Sequence, residues 1–579
     1  MRRSRVYFFL FIVFLSILLS YLVGIGIGVY PNVFLFWISI VSMSITVLCQ
    51  IFDLKASTKL TILEILLLTL ALHLIFTTTY GLYEYDVHYD YYAAKEIMQN
   101  GWPPNPTADL LPKTKKVLQW PVLHILSSIV SEITGVDLFL VAKWIPSIIS
   151  SVTTLFVYLF FKRFFGSRSR LDDQSALLAS FGFSSMITYI SHESKFRPSC
   201  LATVLFFVLA YSVESGKKRE FCVLTLLLIP TLILTHHLTA FMWLFFLFII
   251  SFAHRALPFL PFKLRNLIGV TRNISRAFKS SHFLILVFSI VSTLTYWGYF
   301  AEEVLFDLTR ITRGLFSPQL GQYAFVVSPP RVIISLYLNV IIAVAFFAAI
   351  VHHLLKYRCR SRLKELPLLT WVGMLFGFYL TFVFVKNFAH YMDVTRFQIF
   401  GWPFLLMLAA HATSKTTRKR LLSLLFIGFV LIQVYSIPPY IYDHSLTPDY
   451  QYGRVRMYYL PQEYEAVFWI NSSQGIVGDA TVFELVGGLR QIKVTLLGFD
   501  TTQSLLAGNY TVMENRLLFY RMEDSYCVPP GGIWRSTELI NLPNDGFDLS
   551  FSKLYDNGVD MYAVAIYMVP CNPSNLVER

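Results

Sequence analysis

Four titratable side chains crowd the stretch YEYDVHYDYYAAKEIMQNG at 83–101: Glu84, Asp86, His88 and Asp90 lie within seven positions. A carboxylate there can take a proton from an attacking hydroxyl or amide, and an imidazole can orient it. A second carboxylate can hold a cation or raise the pKa of the first. Cationic and imidazole groups recur further along: His192, Glu193, Lys195 and Arg197 in HESKFRP, the pair His236 and His237, Arg310 and Arg313, and the trio His390, Asp393 and Arg396. Arginine and lysine pair phosphate oxygens through charge-assisted hydrogen bonds. Ionisable groups beside long apolar runs are costly at membrane depth and tend to mark a site.

The elements that must position these groups are apolar helices. The chain has 579 residues, of which 55% are hydrophobic and 14% charged, with 52 Phe and 33 Tyr, and its mean hydropathy is +0.57. A soluble protein of this length does not need that much apolar surface. Runs of about twenty apolar residues flanked by charge read as transmembrane helices. About thirteen fit: 6–30, 32–52, 60–82, 138–161, 174–190, 199–213, 221–235, 238–253, 282–300, 331–355, 366–385, 397–412 and 421–440. The first is too long for a signal-peptide core and reads as an uncleaved span. Residues 121–134 are too few to cross and read as re-entrant or interfacial. The spacing in 87–100 predicts a helix, with Asp86 at its N-cap and Gly101 ending it. Asp90, four residues on, would share a face with Asp86.

With MRRSR in the cytoplasm and spans alternating, the basic segments 55–59, 162–170, 217–219, 263–279, 356–364 and 415–420 fall inside, as loop charge asymmetry requires. The clusters above then gather on the outer face. The net charge of +13 is accounted for by these short clusters, which favours topology over a nucleic-acid partner. The expected fold class is therefore mostly α: a multi-pass membrane bundle over 1–442 with a functional outer loop at 83–120, and a small extracytoplasmic α/β domain over 443–579. In that tail 463–471 reads as a helix, and 476–479, 492–497 and 517–520 as strands. Asp556-Asn557-Gly558 signals a hairpin between 551–555 and 559–565. The tail has no glycine-rich phosphate loop, and its Asn471 and Asn509 head weak glycosylation triplets. No CxxC pair occurs in the chain, and a disulfide between Cys527 and Cys571 stays open.

With no nucleotide fold on the outer face, a lipid-linked donor fits these groups: its head group sits at the interface and its tail lies between spans. Transfer from a lipid phosphate needs a base for the acceptor and cations for the departing phosphate.

The pattern YDVHYDYYAAKEIMQNGWP resembles the first outer loop of the GT-C superfamily of polytopic glycosyltransferases, in particular its archaeal branch. WPVLHILSSIVSEITG, HESKFRP, THHLTAF and, in the tail, EYEAVFWI and YDNGVDMYAV are similar to further features of that superfamily. The resemblance implies an inverting transferase that moves a sugar from a polyprenyl-phosphate donor such as a dolichyl-phosphate sugar to a glycan, lipid or protein acceptor. Asp86 would be its base, and His88 would contact the acceptor or orient Asp86. By the same resemblance Arg197 and Arg396 pair the lipid phosphate, ahead of Lys195, Arg310 and Arg313. His192, Glu193, His236, His237, His390 and Asp393 remain site candidates. No cofactor is fixed, and a divalent cation, magnesium or manganese, between Asp86 and Asp90 is left open.

Three alternatives stand beside this reading. An oligosaccharyltransferase would move a whole glycan, but the tail lacks the Trp-Trp-Asp-Tyr-Gly motif; Trp469 and Trp534 stand apart. A transporter or flippase would show polar midplane helices and repeated halves, and no repeat is evident. A metalloenzyme built on His88, His192, His236, His237 and His390 lacks a local ligand pair. The topology makes a direct prediction. Single cysteines placed at 84 and 450 should both react with a membrane-impermeant maleimide added outside intact cells; labelling of one without the other overturns the shared outer face.

Overall fold

A computed structural model of the chain describes residues 2–26, 32–53, 55–77, 81–83, 87–102, 111–165, 170–215, 219–256 and 281–302, short helical pieces between 304 and 489, and strands between 476 and 569. In chain order the helices are α1 Arg2–Gly26, α2 Val33–Phe52, α3 Thr58–Leu74, α4 Val87–Asn100, α5 Pro112–Val117, α6 Val122–Thr134 and α7 Leu138–Phe165. They continue with α8 Arg170–Ser184, α9 Ile187–Glu193, α10 Pro198–Ser215, α11 Arg219–Thr235, α12 His237–Ala256 and α13 Ser281–Tyr299. Two compact units result: one of Met1–Thr78, Ile145–Gly321 and Arg331–Tyr442, the other of Thr79–Trp144, Gln322–Pro330 and Asp443–Arg579.

The first unit is built from apolar helices. Among the described residues α1, α2, α3 with its 3₁₀ extension, and α7 are long and apolar enough to cross a membrane. Val6, Phe9 and Val23 on α1, Leu227 on α11, and Leu284 and Val291 on α13 are more than half exposed. Water would penalise such outward apolar rows; hydrocarbon does not. Hydroxyls inside these helices bond one turn back, as Ser16 does to the Ile12 carbonyl at 2.9 Å and Thr69 to the Ile65 carbonyl at 2.7 Å. That is how an apolar span carries polar groups without orphaning them. The core is aromatic: Trp243 stacks on Phe246 at 5.3 Å, and Phe206 meets Phe400 edge-on at 4.9 Å.

Polar side chains join the first helices. In the amide orientation that satisfies both its ends, Gln50 of α2 donates to Glu64 Oε1 of α3 at 3.2 Å and accepts from the Thr61 hydroxyl at 3.1 Å. Gln174 of α8 donates to the Ile51 carbonyl of α2 at 2.8 Å. All four of these side chains are buried.

One expected span is corrected. Residues 174–190 are not one helix: α8 ends at Ser184 and the seven-residue α9 begins at Ile187. Ser184 and Ser185 both turn their hydroxyls back onto the Phe181 carbonyl, and Met186 is extended at φ −67°, ψ 122°. The freed Ile187 amide is taken by Gln433 Oε1 at 2.9 Å. Two adjacent serines that bond the preceding turn, with a side-chain acceptor waiting beyond, favour a break over continuation.

In the second unit, α4, α5 and α6 form a helical layer. The tail contributes β1 Ile476–Gly478, β2 Val494–Leu496, β3 Arg516–Arg521, β4 Tyr526–Cys527, β5 Ile540–Asn541, β6 Ser552–Asp556 and β7 Val564–Val569. Five strands make one sheet in the order β2-β1-β3-β7-β6; β1 runs parallel to β2 and β3, and β7 antiparallel to β3 and β6. β4 and β5 pair separately. The hairpin is wider than expected. The second strand starts at Val564, not at 559, and Asp556 lies opposite Ala565, so Asn557-Gly558 is not a two-residue turn. The helix read over 463–471 lies outside the described residues.

The Gln50 contacts predict that Gln50→Leu, which leaves a buried carboxyl without its donor, lowers unfolding stability in detergent by about 1–3 kcal/mol. Gln50→Glu tests the same contact with shape retained. Thermal melting of the purified variants measures both.

Candidate functional site

The loop that follows α3 is a packed layer rather than a solvated connection. α4 opens at Val87 and closes at Gly101, whose amide donates to the Ile97 carbonyl at 2.8 Å and whose φ of +80° suits glycine. Ala93, Ile97 and Leu118 form its apolar seam, with Tyr92, Val117 and Ile125 packed on it. α6 presents the unusual face. Its buried stripe is His124, Ser127, Ser128 and Ser131, while Ile129 and Ile133 face outward, Ile133 at 80% exposure. Polar groups at i, i+3, i+4 and i+7 turned inward and isoleucines turned outward are what a helix at a hydrocarbon boundary requires. Gly135, at φ +69°, ends α6, and the Ser131 hydroxyl donates to the Val136 carbonyl at 2.7 Å.

Two bonds lock α6 to α4. The Ser128 hydroxyl donates to the Ala94 carbonyl at 2.8 Å, and His124 Nε2 donates to Asp90 Oδ1 at 2.9 Å, with the imidazole fully buried and Asp90 at 6% exposure. Asp90 is therefore buried and engaged, not a solvated side chain on the helix face. His124 was not singled out from the sequence, although the polar stripe on an otherwise apolar segment is readable there. His88 is also fully buried. Burial, with Asp137 adding to it, pushes the Tyr91 phenol up; burial and then Glu96 do the same for Tyr92, so both stay protonated donors. Lys113 of α5 lies over the Tyr89 ring, 4.7 Å from its centroid. With Lys115 and Lys116 it makes a basic cluster inside a loop read as outer, which the charge-asymmetry argument had passed over.

Asp90 Oδ1 already accepts from His124, and no group of three candidate metal ligands occurs among the described residues. The described side chains do not by themselves make a cation site, and no step below is routed through one.

In the first unit, α9 and the turn after it carry the HESKFRP cluster. Glu193 and Lys195 are buried, at 2% and 5% exposure; His192 and Arg197 are half-buried. The Arg197 amide donates to the Lys195 carbonyl at 2.7 Å, and the Cys200 amide to the Arg197 carbonyl at 3.1 Å. His236 acts as a helix cap: the Thr239 hydroxyl donates to its Nδ1 at 2.9 Å and the Thr239 amide approaches it at 3.4 Å. His237 is the first residue of α12, its ring 5.0 Å from that of His236. Asp86, Arg310, Arg313, His390, Asp393 and Arg396 lie outside the described residues, as do Cys571, Asn471 and Asn509.

No family model and no curated protein matches this sequence. Solved structures do. The apo oligosaccharyltransferase of Archaeoglobus fulgidus is 14% identical, with a TM-score of 0.48 over 85% of this chain and 73% of that one. The mycobacterial arabinofuranosyltransferase AftD is 12% identical, with a TM-score of 0.47 over 90% and 40%. ArnT of Cupriavidus metallidurans, in a structure bound to undecaprenyl phosphate, is 10% identical, with a TM-score of 0.38 over 88% and 98%. All three are GT-C glycosyltransferases, the superfamily whose outer loop the 85–103 pattern resembles. With TM-scores below 0.5, the activity has to be argued from this chain's own residues.

The Asp90–His124 contact predicts non-additive losses. Asp90→Ala and His124→Ala should each destabilise the protein, and the double variant should lose less than their sum by about 1–3 kcal/mol. A double-mutant cycle on melting in detergent measures the coupling; additivity would mean that the contact carries no energy.

Proposed function

We propose that this chain is a membrane glycosyltransferase that moves a sugar from a polyprenyl-phosphate-linked donor, such as a dolichyl-phosphate sugar, to a glycan, lipid or protein acceptor at the outer face. The observation that carries the reading is the layer after Asp86. The helix that starts at the next residue is fixed by a buried acid–imidazole contact to α6, whose outer side is apolar. The apolar outer side of α6 supports reading this layer as lying at the membrane boundary, where a lipid-borne head group resides.

In the proposed mechanism Asp86 takes the proton from the acceptor hydroxyl or amide as that atom attacks the anomeric carbon from the side opposite the phosphate. The bond to the phosphate oxygen breaks, and the configuration inverts. Arg197 and Arg396 neutralise the departing phosphate, with Lys195, Arg310 and Arg313 in support. His88 is buried two residues before Asp90 on the same helix and would help to orient Asp86 or the acceptor. The buried Asp90 is assigned to holding the loop rather than to a second proton transfer.

Asp86→Asn keeps the shape and removes the base. It should leave expression and melting unchanged and lower the rate of transfer from a labelled dolichyl-phosphate sugar by at least about a hundredfold, the scale of a lost general base. Normal turnover by that variant would refute the assignment. Movement of labelled lipid across vesicles that persists in Asp86→Asn would point to a flippase instead.

A further inference from the structure

α9 has seven residues, too few to be stable alone. Its geometry, and that of the turn at 194–197 that follows, must come from outside the helix. Four elements supply it. Gln433 takes the first free amide, at Ile187. His73 of α3 meets the Tyr189 ring edge-on at 5.0 Å and is held by its own bond to the Thr69 carbonyl at 2.8 Å; the Phe183 ring of α8 is 4.1 Å from that of Tyr189. The tightest restraint comes from Ser150 of α7. The Tyr189 hydroxyl donates to the Ser150 carbonyl, and the Ser150 hydroxyl donates to the Glu193 carbonyl at 2.8 Å.

Tyr189 and Glu193 are four residues apart, so this one serine grips both ends of a single helical turn. Glu193 is the last residue of α9, and its carbonyl is among those a helix end leaves unsatisfied. The Ser194 hydroxyl also folds back onto the Ile190 carbonyl. The chain then turns through Lys195 to Arg197, and Pro198 starts α10. Tyr189, Ser150, Glu193 and Lys195 are all more than nine-tenths buried. Tyr189 and Ser150 are fully buried, and what they govern is the direction in which the chain leaves α9.

We propose that Tyr189 and Ser150 are positioning residues that set the Lys195–Arg197 turn for a phosphate head group. This rests on the reading of Arg197 as a donor-phosphate ligand. Neither residue contacts the phosphate; each acts through the turn.

The test uses full-length protein in detergent, with dolichyl phosphate as the probe and dolichol, which lacks the phosphate, as the control. Tyr189→Phe keeps the ring and loses the bond to Ser150. Ser150→Ala loses the bond to Glu193, and Ser150→Thr restores a hydroxyl. Tyr189→Phe and Ser150→Ala should each weaken dolichyl phosphate binding about tenfold, the effect of one lost hydrogen bond to a preorganised element. Dolichol binding should be unchanged, and Ser150→Thr should recover most of the loss. Arg197→Ala separates the two levels of the argument. If it weakens phosphate-dependent binding while Tyr189→Phe and Ser150→Ala do not, the clamp is refuted and the donor reading stands. If Arg197→Ala has no effect either, the donor reading of Arg197 fails and the clamp proposal falls with it. Equal losses for dolichyl phosphate and dolichol would show general damage and also refute it. Should Tyr189→Phe fail to fold, the Ser150 pair alone decides.

Discussion

A charged or polar group inside an apolar helical protein must find its partner within the protein, because neither water nor hydrocarbon offers one cheaply. That constraint is visible at three places in this chain. Gln50 and Glu64 meet across α2 and α3, Gln433 meets the amide that the break after α8 sets free, and Asp90 meets His124 between α4 and α6. The last bears on the proposed function, since the helix it holds begins at the residue after Asp86.

The helices were legible because their signals are local. The bounds read for α4 match Val87–Asn100, and Gly101 ends it with a positive φ, because an amphipathic period followed by glycine fixes both face and terminus. The spans that became α2, α10 and α12 were readable within a few residues by apolar length alone. The break at Ser185 was not, since it depends on a glutamine nearly 250 positions away. The second hairpin strand was misread because Asn-Gly is a strong short-range turn signal, and here the pairing register overrode it.

The candidate site was legible by residue type and not by partnership. A cluster of Asp and His beside an apolar run draws notice, but whether a given acid is a base or a brace depends on what it touches. Asp90 was read as a possible second carboxylate for chemistry; its contact with His124, 34 residues on, could not be read from the spacing. His236 looked like half of a ligand pair, and its ring nitrogen caps α12. Lys195 and Arg197, two residues apart, differ in burial, and no spacing rule could have told them apart.

The outward isoleucines of α6 carry a practical consequence. Ile133 is four-fifths exposed at the end of a helix that is not itself long enough to cross a bilayer. Left in water, that end of α6 is an apolar surface open to self-association, so a detergent that covers it should keep the purified protein dispersed better than one that strips it.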